Sequence, residues 1–119
     1  YQTDASVANI IETWCAEHFE EPPSVAMDVN SMSTCRHFVR AGLGWSILTY
    51  MGLGSCKDRD IYVSPLRSKD GKYISRDTNM VYTKDAENLV VVKTFIEYVR
   101  NYYKEHTVVD NSIFREYKA

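Results

Sequence analysis

Apolar residues first recur at helical spacing over Ser6–Glu20. Val7, Ile10, Ile11, Trp14 and His18 fall on one stripe there. Thr3 or Asp4 is placed to cap this helix, and Pro22-Pro23 to end it, because proline cannot continue the hydrogen-bond ladder. The period then changes. Ser24–Val29 alternates, with Val25, Met27 and Val29 on one side and Ala26 and Asp28 on the other, which predicts a strand with one buried face. Helical spacing returns over Met32–Ala41, placing Cys35, Phe38 and Val39 inward and Arg36, His37 and Arg40 outward. Gly42 is positioned to close that helix in the left-handed conformation. Trp45–Leu48 reads as a short buried strand, and 52–60 as a polar loop. Ile61–Leu66 is a strand whose Pro65 marks its end or a sheet edge. Asp70-Gly71 is a tight-turn signal leading into a return strand, Tyr73–Thr83. The longest stripe comes last: Leu89, Val92, Phe95, Ile96, Val99, Tyr102 and Tyr103 predict a helix over Ala86–Glu105 with Asp85 as its cap. Residues 108–119 are expected to form a tail, with a short helical turn around Ile113–Tyr117. Strands alternating with helices favour an α/β fold with a mainly parallel sheet flanked by helices.

Composition narrows the class. A chain of 119 residues supports one domain with a modest core. No apolar run approaches the roughly 20 residues of a bilayer span, so no membrane-crossing helix is expected. No secretion signal is recognised, and a start at Tyr1 rather than Met predicts a piece of a longer protein. Net charge is −2 and the 14 basic residues are scattered, so this stretch is not expected to grip nucleic acid itself. The 3 cysteines, Cys15, Cys35 and Cys56, form an odd, irregularly spaced set, which points to reduced thiols and a cytoplasmic location.

The candidate chemistry concentrates in the turn Asn30-Ser31-Met32-Ser33, where a predicted strand hands over to a helix N-terminus. The first N–H groups of a helix have no intrahelical acceptor, so such a corner can receive a small anion. Ser31 supplies a hydroxyl and Asn30 both a donor and an acceptor; alternatively, Ser31 is only an N-cap. Thr49 and Tyr50 follow a predicted parallel strand, another edge where ligands bind. Gly42 and Gly44 follow a helix rather than a strand and lack a third glycine, so they read as a helix stop, not a dinucleotide loop. Cys15 with His18 and Cys35 with His37 are too sparse for a zinc site, and neither a metal nor a cofactor is expected. A redox pair of Cys35 and Cys56 is an alternative to the plainer reading of small core thiols. No nucleophile elbow and no scaffolded pair of carboxylates appears, so no catalytic residue is assigned and the chain is not expected to be an enzyme.

The run from Val29-Asn30-Ser31-Met32 through Val39-Arg40-Ala41-Gly42-Leu43-Gly44 to Trp45-Ser46-Ile47-Leu48 resembles the effector-binding domain of LysR-type transcriptional regulators. Val39–Gly44 fits the family's V-x-A-G-L-G phrase, while Leu48-Thr49 stands where the family has Leu-Pro. The resemblance implies a periplasmic-binding-protein-like (type II), Rossmann-like subdomain. Residues 1–84 would be the second effector-binding subdomain with its crossover strands, 85–106 a helix returning to the first subdomain, and 107–119 a tail. It implies effector contacts at Asn30, Ser31, Met32, Ser33, Thr3 and Thr49, and hinge positions at Tyr1, Gln2, Thr78 and Asn79. The partners implied are a small, anionic effector, further copies of the same chain in a homo-oligomer, and DNA through a domain outside this sequence; no membrane is implied. Two alternatives stand beside this reading: a solute-binding protein of periplasmic type, and a dimerisation module without a ligand.

Overall fold

The computed structural model describes residues 1, 3–54, 61–109 and 111–114. They fall into two units, Tyr1–Ile74 with Ser112–Ala119, and Ser75–Asn111.

In the first unit, α1 (Ala5–His18) starts where the Asp4 carboxylate accepts the Val7 N–H at 3.0 Å. This settles the cap on Asp4 rather than Thr3. The helix stops ahead of Pro22-Pro23: Phe19 is already extended, and its N–H closes on the Cys15 carbonyl at 3.0 Å. Val7 is buried at 6% exposure. The rest of the stripe is only half-buried or, at His18, exposed. The His18 ring stacks on Trp14 at 4.4 Å, and the Trp14 indole donates to the Arg67 carbonyl at 2.9 Å.

Helix α2 (Met32–Arg40) matches its sequence pattern closely and is closed at both ends. At its end the Gly42 N–H donates to Val39 and the Leu43 N–H to Phe38, with Gly42 at φ +77°. That is the Schellman arrangement the glycine was expected to provide. A further helix, α3 (Tyr50–Leu53), occupies part of the region expected as strand end and loop. Its first turn is capped by Thr49, whose Oγ1 accepts the Gly52 N–H at 3.2 Å.

The expected strands are not realised as a sheet among the described residues. Ser24–Val29, Trp45–Leu48, Ile61–Leu66 and Tyr73–Thr83 carry no strand pairing beyond one antiparallel bridge, Arg67 to Tyr73. Val25 is 80% exposed and Trp45 62%, so neither belongs to a buried strand here. The physical reason is that alternation creates one apolar face but no hydrogen-bond partner; a ladder has to come from another strand. Where the partner is local, pairing does occur. The Asp70-Gly71 turn forms, with Gly71 at φ +84° and the Ser68 N–H donating to the Lys72 carbonyl at 2.9 Å.

In the second unit, the single predicted helix is two. A 3-10 helix over Lys84–Asn88 precedes α4 (Val90–Glu105), with Leu89 extended between them at φ −85°, ψ 118°. Asp85 lies inside the first and caps neither by its side chain. Ile96, 4% exposed, is the buried centre of this unit. Among the described residues, no helix is long and apolar enough to cross a membrane.

Candidate functional site

The turn at residues 30–33 is built by the start of α2. Ser31 is extended (φ −148°, ψ 154°) and its Oγ accepts the Thr34 N–H at 3.2 Å. The same oxygen lies 2.9 Å from Thr34 Oγ1. The Ser31 carbonyl takes the Cys35 N–H at 3.1 Å. Ser31 therefore does act as an N-cap. The backbone N–H groups of Met32 and Ser33 have no acceptor among the described residues. Two donors of the first turn thus remain available beside the positive end of the helix.

Met32 and Thr49, 17 positions apart, are brought together: the Thr49 hydroxyl donates to Met32 Sδ at 3.2 Å. Tyr1 joins from the chain's start, its hydroxyl donating to the Ile47 carbonyl at 2.8 Å. The Tyr1 side chain is 4% exposed. Burial, then the nearby Cys35 and Asp4, push its phenol above the ordinary tyrosine value. Cys35 donates to Ser46 Oγ at 3.1 Å, consistent with a packed thiol; Cys56 lies outside the described residues. Asn30 and Ser33 are exposed at the rim. Thr3 is half-buried and makes no hydrogen bond to residues 30–33 or 49. Thr78 and Asn79 are exposed positions of the second unit, and Gln2 lies outside the described residues.

Sequence reasoning missed Arg36. Placed outward by periodicity, it is half-buried instead. Its Nη1 donates to the Leu53 carbonyl at 3.1 Å and the Gly52 carbonyl at 3.4 Å, at the end of α3. The signal that could have found α3 was Thr49 three residues ahead of Gly52, a cap-like spacing.

Two concavities in the molecule lie away from the turn at residues 30–33. One of about 540 Å³ sits at the end of α1, lined by Ala16, Glu17, His18, Phe19, Glu20 and Lys69. The other, about 350 Å³, lies against Tyr98, Val99, Tyr102 and Tyr103 of α4. Among the described residues, no group of three or more His, Cys, Asp or Glu side chains is arranged to hold a metal ion.

Comparison with known proteins places this geometry in context. The chain matches the LysR substrate binding domain over residues 1–104. It is similar to an uncharacterised HTH-type transcriptional regulator, YraN, of Bacillus subtilis strain 168. Identity is 34% over 100 residues, covering 84% of this chain and 34% of that protein's length. No solved structure matches.

Proposed function

This chain belongs to the LysR substrate-binding domain family, and from that premise we propose that it senses a small anionic effector for a bacterial transcriptional regulator. The observation that carries the reading is the pair of unaccepted N–H groups at Met32 and Ser33, beside the Met32–Thr49 contact. A helix start of this kind favours an anion by about 0.3–1 kcal/mol when exposed. Charge-assisted bonds to a carboxylate add to that. Asn30 and Ser33 supply polar groups at the rim, and the half-buried Thr3 and Ser31 complete the contact set. Tyr1, Gln2, Thr78 and Asn79 act as the hinge between two lobes.

The relative is about three times as long as the stretch it shares with this chain. In a longer polypeptide, the extended segments 24–29, 45–48, 61–66 and 73–83 join a periplasmic-binding-protein-like, mainly parallel sheet. The effector closes the lobes because it binds their closed arrangement better, and closure shifts the population. In a cytoplasmic homo-oligomer, a coupling of typically 1–3 kcal/mol then reaches DNA-binding domains outside this sequence. The role is binding rather than catalysis.

The test uses the Met32 amide. Ser31 already has the extended backbone that a residue before proline requires, and proline suits the first helical position. Met32→Pro therefore removes that N–H, while Met32→Ala removes only the side chain. Both variants of the full-length gene product are titrated by calorimetry with acetate, succinate, benzoate and inorganic phosphate. The proline variant is expected to bind the preferred anion about tenfold more weakly than the alanine variant. Equal affinity removes the turn from the site.

A further inference from the structure

A helix of four residues, such as α3, does not stand by itself, because nucleation fixes several residues for one hydrogen bond. Something else must hold it, and the structure supplies two contacts from α2. At the start of α3, Thr49 is tied to Met32 Sδ at 3.2 Å while it caps the Gly52 N–H. At the end, the Arg36 guanidinium takes the Leu53 and Gly52 carbonyls, which have no helical partner of their own. A cation there also complements the negative end of the helix.

The fit around both contacts is close. A Cβ on Gly52 would collide with Met32 Sδ, and one on Gly54 would collide with Arg36 Nη1. Gly54 also sits at φ +59°, ψ −153°, a conformation that side chains avoid. Arg36 is held there at a cost, since its Nε is buried and has no hydrogen-bond partner. An exposed cation on the solvent face of α2 would bear no such cost.

We infer that Arg36 is a positioning residue: by gripping the end of α3 it fixes Thr49 against Met32 and so sets the shape of the corner at residues 30–33. Arg36 acts on the corner through α3, by its bonds to the Leu53 and Gly52 carbonyls. The inference rests on the reading of that corner as a pocket wall, and it deepens it by naming what holds the wall's second side.

The full-length gene product is labelled at methionine and threonine methyl groups. The Met32–Thr49 methyl cross-peak reports their contact without any ligand. It is expected to weaken severalfold in Arg36→Gln and to return in Arg36→Lys, which restores a donor cation. Gly54→Ala, whose Cβ displaces the guanidinium, is expected to weaken it independently. An undiminished cross-peak in Arg36→Gln, or in Gly54→Ala should the first variant fail to fold, overturns the assignment. So does a loss that lysine does not restore, because a generic packing role is indifferent to charge. Succinate affinity, read in parallel, is expected to fall about fivefold in Arg36→Gln and recover in Arg36→Lys. Should wild-type protein bind no succinate, the pocket reading is weakened, while the cross-peak still decides the role of Arg36.

Discussion

Helix α2 is fastened at every level. Ser31 caps its start, Gly42 closes its end, Cys35 bonds Ser46, and Arg36 reaches α3. Helix α4 is longer and carries the longer apolar stripe, yet its start at Leu89 has no side-chain cap. Beyond Ile96 it also leaves much of its apolar surface open: Val91 is 82% exposed, Tyr98 65% and Phe95 61%. The difference separates two things a stripe can mean. In α2, side-chain polar bonds fix where the helix sits and which way it faces. In α4, apolar residues suffice to make a helix, but one line of them, centred on Ile96, carries the burial. Position is specified in the first case, and only helicity in the second.

The sharpest way to break this comparison is to truncate neighbours on α4. Ile96→Ala is expected to destabilise the second unit by about 2–5 kcal/mol, the range for emptying a buried aliphatic site. Phe95→Ala, one residue away and 61% exposed, is expected to change stability by no more than about 0.5 kcal/mol. Urea unfolding of the full-length gene product, followed by hydrogen exchange over residues 90–105, reads both. Similar losses would mean that Phe95 is covered as well, and that α4 is fastened like α2.

Smaller effects are expected at the helix starts, with opposite signs. Ser31→Ala removes the cap of α2 and is expected to cost about 1 kcal/mol. Leu89→Asp gives α4 the cap it lacks, at an extended and 62% exposed position, and is expected to add about 1 kcal/mol. Helix-resolved amide exchange distinguishes these two changes. A Ser31→Ala variant with unaltered exchange in α2 would show that other bonds alone hold that helix.

The smallest effect is a pH dependence in the turn of the first unit. Bonds from Ser68 and then Lys72 hold the Asp70 carboxyl below its ordinary value. A depressed carboxyl contributes its stabilisation above the unfolded value and loses it as pH falls through the folded one. Ser68 and Lys72 amide shifts should therefore change only in acid, below the usual carboxylate range. A titration at or above the normal value would remove Asp70 from the turn's support.

What could be read beforehand follows the same division. The bounds of α2 and the left-handed Gly42 were legible because cap, stripe and stop lie within a few residues of one another. The Asp70-Gly71 turn was legible for the same reason. The strands were not, since Val25, Met27 and Val29 specify a face and leave the partner open. The break at Leu89 was hidden because the apolar stripe runs straight through it. At the candidate site, Ser31 and Met32 could be named from a motif. The approach of Thr49 to Met32 across 17 positions could not. Arg36 was misplaced because periodicity assigns a direction to a side chain's root, while a long side chain can turn its charged end toward carbonyls elsewhere.

Gly54 carries a consequence for how this protein can vary over time. Its backbone lies where only glycine is comfortable, and the space a side chain would enter is already filled by the Arg36 guanidinium. The guanidinium is the far end of a flexible side chain and can move aside, so the backbone conformation is the constraint that stays in force. Lineages that lose the arginine would still keep the glycine, whereas those that lose the glycine should be found only where the α3 turn itself has been rebuilt.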